Sequence, residues 1–127
     1  MATVTTPTSP RVSKGLETLH WYHSELGLTW EDVAEAVGVS SRTVQRWRDL
    51  ETSPSGENLE AVERLGEVRF WILTVFGHPE HGIDEAREWL HTRIVELRGK
   101  TPREALLGGK AERIIDMLAT AHAGAFV

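Results

Sequence analysis

Apolar residues recur along most of this chain at helical spacing, and no stretch alternates with the period of two that marks a strand. Leu16, Leu19, Tyr22 or His23, and Leu26 share one face, which predicts a first helix from about Ser13 to Leu26, stopped by Gly27. Thr29 precedes Trp30, Glu31 and Asp32, an N-cap followed by acids where the helix dipole favours them. Asp32 stands where a strict capping box has Glu or Gln, so only an approximate box is expected. This second helix ends near Val37 and Gly38. Ser40 or Ser41 then caps a third, from Arg42 to about Leu50. After the turn cluster Ser53-Pro54-Ser55-Gly56, Leu59, Val62, Leu65, Ile72, Val75 and Phe76 form the stripe of a long helix from about Asn58 to Phe76.

Gly77-His78-Pro79 breaks that helix. Ala86, Trp89 and Leu90 then predict another from about Ile83 to Leu90, with room to extend toward Leu97. Thr101-Pro102-Arg103-Glu104 is a capping box with proline at the first helical position, and its short helix ends at Gly108-Gly109. Ala111, Ile114, Ile115, Leu118 and His122 predict a last helix, ended by Gly124. The Thr, Ser, Pro and Ala of the first ten residues have no apolar period. The expected organisation is a disordered tail over 1–12, a helix-turn-helix domain over 13–55 and a helical domain over 56–127, all-α throughout.

The helix-turn-helix rests on seven positions. Ala34 is small where the helices cross, Gly38 suits positive φ in the turn, Val37 and Val39 flank it, and Val33, Val44 and Trp47 face inward. This register leaves Ser40, Ser41, Arg42, Thr43, Gln45, Arg46 and Arg48 pointing outward. In a DNA-binding unit the start of the second helix enters the major groove, where Arg suits guanine and Gln adenine. Thr43, Gln45 and Arg46 are the expected base readers, and Ser41, Arg42 and Arg48 the expected phosphate contacts.

Charge sharpens the picture. The 127 residues carry 14 basic and 19 acidic side chains, net −5, which argues against a protein that coats nucleic acid by bulk charge. Residues 11–55 hold five bases and seven acids, 56–99 five and nine, and 100–127 four and three. One copy should therefore hold DNA weakly, and a homodimer or larger assembly is expected on a two-fold site. The absence of Cys excludes disulfides, thiolate zinc sites and a cysteine nucleophile. No apolar run reaches the roughly 18 residues a membrane helix needs, and a cytoplasmic protein is expected. The His20/His23 and His78/His81 pairs lack further ligands, so no metal is expected. No phosphate loop, nucleophile elbow or metalloprotease motif is present, so neither an enzyme nor a cofactor is expected.

The second half carries a resemblance. Trp89-Leu90, then Leu97, Gly99 and Thr101-Pro102, then Leu106-Leu107, a glycine-bearing break and Ile114-Ile115-Asp116-Met117-Leu118 resemble the toxin-binding domain of the Xre/MbcA/ParS antitoxins. The ending Ala123-Gly124-Ala125-Phe126-Val127 is also similar, and a preceding helix-turn-helix is the family's usual architecture. The polar His91-Thr92-Arg93 departs from the Pro or Asn with which the family often breaks the helix there. The resemblance covers about residues 15–127. It implies a type II antitoxin whose partner is a RES-domain toxin, related to ADP-ribosyltransferases, that depletes NAD by hydrolysis or phosphorolysis. It also implies a C-terminal segment that blocks the toxin's cleft and a helix-turn-helix that represses the antitoxin's own operon. Independently, the tip Gly124, Ala125, Phe126 and Val127 presents an apolar end and a carboxylate, while Lys110 and Arg113 are candidate contacts to an acidic toxin rim and His122, near the tail, is a further candidate contact. The alternative is a stand-alone regulator whose second half dimerises or senses a ligand.

Overall fold

A computed structural model describes residues 9–77 and 82–124. Among them are seven α-helices, one 3-10 turn and no strand beyond an isolated bridge. The first helix, α1 (Pro10–Ser24), begins earlier than composition suggests. Ser9 accepts a hydrogen bond from the Val12 amide and Pro10 occupies the first turn, so Ser-Pro is itself a start signal. Residues 10–12 thus belong to the helix rather than to a disordered tail, and Val12 is buried.

Helices α2 (Trp30–Val37) and α3 (Ser41–Arg48) form the expected pair. The capping box of α2 is complete despite its short acid: the Thr29 amide donates to Asp32 Oδ2 at 3.2 Å and the Asp32 amide to Thr29 Oγ1 at 3.0 Å. Val33, Ala34, Val37, Val44 and Trp47 are all buried, and Val39 is half-buried. Gly38 takes φ 92 and its amide bonds the Ala34 carbonyl. Helix α3 stops at Arg48, two residues short of expectation. Leu50 takes φ 61, its amide bonds the Trp47 carbonyl, and the Glu51 amide bonds the Arg46 carbonyl. This is a Schellman closure with leucine where glycine is usual.

The two positions give opposite predictions. Gly38→Ala meets no atom within 4 Å, so its cost is the backbone term of left-handed geometry, about 1–2 kcal/mol of stability in urea unfolding. Leu50 is 71% exposed in the same backbone region, so Leu50→Gly relieves strain and raises stability by up to about 1 kcal/mol. A loss of stability in Leu50→Gly would mean that the leucine side chain holds the turn.

The long central helix α4 (Gly56–Phe76) packs against α1, α2, α5 (Gly82–Leu90) and α7 (Ala111–His122). The extension of α5 toward Leu97 does not form. The polar His91, Thr92 and Arg93 follow Leu90, and the amides of His91 and Thr92 close back on the Glu88 and Trp89 carbonyls. A 3-10 turn, Val95–Leu97, and a bridge between Ile94 and Lys100 follow, which bury Leu97 and leave Val95 exposed. Helix α6 (Pro102–Leu107) starts on the predicted box of Thr101 and Glu104. The amide and side-chain bonds from Thr101 hold the Glu104 carboxyl below its usual range.

One apolar cluster runs through all seven helices, from Leu19, Val33 and Val44 to Leu65, Leu90, Leu106 and Ile114. The helix-turn-helix is therefore continuous in packing with the second half. The buried Tyr22 hydroxyl donates to the Leu65 carbonyl at 2.7 Å, joining α1 to α4. Arg103 on α6 pairs with Asp32 at 2.8 Å, so the acid that caps α2 also ties it to the second half.

Candidate DNA-reading and partner-binding surfaces

Helix α3 is held by Val44 and Trp47 on its inner face, which fixes what its outer face presents. Ser40 is the cap: its oxygen accepts from the Thr43 amide at 3.2 Å and lies 3.0 Å from Thr43 Oγ1. Both hydroxyls are thus already engaged, and Ser41 and Thr43 are half-buried. Arg42, Gln45 and Arg46 are exposed, with no intramolecular side-chain partner among the described residues. Arg48 is also exposed, but its guanidinium lies 5.6 Å from the Trp30 ring centroid and pairs with Asp49 at 3.3 Å. The seven outward residues predicted from sequence therefore divide. Arg42, Gln45 and Arg46 are open and unpaired, Ser40, Thr43 and Arg48 are braced against the fold, and Ser41 is half-buried. The brace on Arg48 was not legible, because it depends on Trp30 across the helix pair. That ring is itself stacked on His23 at 4.3 Å and met edge-on by His20 at 5.3 Å.

Both of those histidines therefore serve packing around Trp30, and His23 Nδ1 sits 2.8 Å from the Leu28 carbonyl. The His78/His81 pair lies outside the described residues. Among the described residues no three His, Asp or Glu side chains group as metal ligands would, and no helix is long and apolar enough to cross a membrane.

The expected partner contacts lie at the two ends of α7. Lys110 and Arg113 are exposed at its start, and His122 and Gly124 stand at its finish, about 18 Å away for 12 residues. Ala125, Phe126 and Val127 lie outside the described residues. At the start, Lys110 and Arg113 line a hollow of about 540 Å³ that also takes in Arg64 of α4. Sequence reasoning missed Arg64, since only the packing of α4 on α7 brings it there. A second hollow of about 570 Å³, lined by Leu97, Arg113, Asp116, Met117 and Thr120, runs along α7. Arg113 borders both, so a continuous track leads from the three cations toward the end of the helix. There, His122 is exposed, with its ring 5.7 Å from that of Trp71.

Known proteins are similar to this chain. A family model described as a homeodomain-like domain matches residues 16–56. Two relatives, each named mycobacterial cidal antitoxin MbcA, come from Mycobacterium tuberculosis and Mycobacterium bovis. Each is 26% identical over 102 residues, spanning 80% of this chain and 86% of its own. Among solved structures, a chain in the crystal structure of the M. tuberculosis MbcT-MbcA toxin-antitoxin complex superposes with a TM-score of 0.63 at 26% identity. That match covers 88% of this chain and 96% of the other.

Proposed function

We propose that this chain, a homologue of the MbcA antitoxins, is the antitoxin of a toxin–antitoxin pair: it neutralises a partner toxin through its second half and binds DNA through its first. The observation that carries this is the extent of the likeness. It spans 88% of the chain, so it takes in the helix-turn-helix and the helices after it together, in one order.

The partner is a RES-domain toxin that consumes NAD. The mechanism is steric: α7 positions the C-terminal segment at the toxin's active-site cleft and so blocks entry of NAD. Arg64, Lys110 and Arg113, against the one acid Glu112, give the start of α7 a net positive rim suited to an acidic toxin surface. Val95, 88% exposed beside the track along α7, adds apolar contact area. No residue of this chain is asked to do chemistry.

On the other half, α3 enters the major groove of the operator. Gln45 and Arg46 read base edges, while Arg42 and Arg48 contact phosphates. The chain is net acidic, so operator affinity comes from a homodimer placing two copies of α3 on a two-fold site. The direct test is co-expression with a candidate RES-domain toxin. Cells making the toxin alone stop growing, and cells making both proteins grow. Growth arrest in the presence of abundant soluble antitoxin would exclude the reading.

A further inference from the structure

Between α1 and α4 lies an open hollow of about 530 Å³ that the toxin and DNA surfaces do not use. Arg11 meets Glu63, Thr18 lies against Gly66 and Glu17 meets Arg69, so the two helices run in the same direction. At the floor, Gly15 is needed for their approach, since an added Cβ would lie 2.9 Å from Val62 Cγ1. Gly66 is not needed in the same way. Its added Cβ would make only an ordinary 3.5 Å contact with Thr18 Oγ1, yet glycine costs stability in the middle of a helix. Among the described residues, no side-chain atom but Thr18 Oγ1 is found within 4 Å of that Cβ position. Beside that space Phe70 is 59% exposed, its ring set edge-on to Trp71 at 5.3 Å.

The rims carry opposite charges. The α1 bank bears Arg11 and Lys14, and the α4 bank bears Glu63 and Glu67. Arg11 and Glu63 pair across the hollow at 2.6 Å, which raises the affinity of Arg11 for its proton and lowers that of Glu63. One turn on, Lys14 and Glu67 are exposed, and neither makes an ion pair among the described residues.

We propose that this hollow is the surface through which two copies of the chain associate. A two-fold axis along the groove sets the α1 bank of one copy against the α4 bank of the other. Lys14 then faces the other copy's Glu67 twice over, and each Phe70 enters the space left by Gly66 opposite. Knob, hole and both charges lie on one face, as an isologous interface requires. Nucleic acid and anionic lipid fit poorly, because the acidic bank repels them. The proposal deepens the reading of a dimer on a two-fold operator, and it is tested by mass alone, without DNA or toxin.

Light scattering on the full chain after size exclusion gives twice the 14.2 kDa of one copy. Phe70→Glu, at an exposed position, elutes as a monomer with an unchanged helical circular dichroism spectrum. Lys14→Glu or Glu67→Lys alone weakens dimerisation at least tenfold, and the two together restore it. A wild-type monomer at all concentrations, a Phe70→Glu dimer, or a doubly reversed variant no better than the single ones would each overturn the proposal. The second of these leaves the operator reading standing with a different dimer surface.

Discussion

Removing residues 124–127 is expected to abolish protection against the toxin and to leave the fold intact. The cut falls beyond the last helical residue of α7, His122, and spares Ile114 and Leu118, which anchor that helix in the core. The α7 end is closed by the Ala123 amide on the Ala119 carbonyl, which the truncation keeps. What is lost, with Gly124 and Ala125, is the apolar pair Phe126 and Val127. Burial of a Phe and a Val side chain in a pocket is worth about 2 kcal/mol each, so together they account for about a thousandfold in affinity. Phe126→Ala alone takes roughly half of that. The checks are growth on co-expression and calorimetric affinity for an inactive toxin. Full protection by the truncated chain would show that inhibition comes from elsewhere, with the cation-lined start of α7 the next surface to mutate.

Arg46→Ala is expected to weaken binding to the chain's own promoter by about 5- to 150-fold, the range for one bidentate base contact of 1–3 kcal/mol. Arg46 is exposed and unpaired, so its removal leaves α3 held by Val44 and Trp47. The loss should be confined to the specific site. Arg42→Ala should instead weaken specific and random DNA alike and reduce the salt dependence by about one phosphate contact. Fluorescence anisotropy against promoter and scrambled duplexes at several salt concentrations separates the two. Unchanged promoter binding in Arg46→Ala would take that residue off the reading surface.

The all-α class and the helix-turn-helix were legible because each depends on local spacing. Val44 and Trp47 sit three apart on one face, and Gly38 stands where the turn takes φ 92. Thr101-Pro102 and Glu104 likewise specify the start of α6 within four residues. What escaped sequence reasoning depends on competition or distance. Ser9-Pro10 starts a helix inside a composition that reads as a tail. Leu50 adopts a left-handed closure because Glu51 and Leu50 satisfy the carbonyls of Arg46 and Trp47, a gain that residue type does not announce. Helix α5 ends at Leu90 because the polar residues beyond it have nothing to bury. Arg64 joins Lys110 and Arg113 only through the packing of α4 on α7. Of the tip expected to bind the partner, Gly124 alone is described in the structure, and Ala125, Phe126 and Val127 rest on the sequence.

The central claim is that this chain silences an NAD-consuming toxin by binding it. Its most direct measurement is NAD loss catalysed by the purified toxin as the purified chain is titrated in. The rate should fall linearly and reach zero at a fixed molar ratio, as expected of a tight plug. A rate that stays unchanged under excess chain would contradict the account.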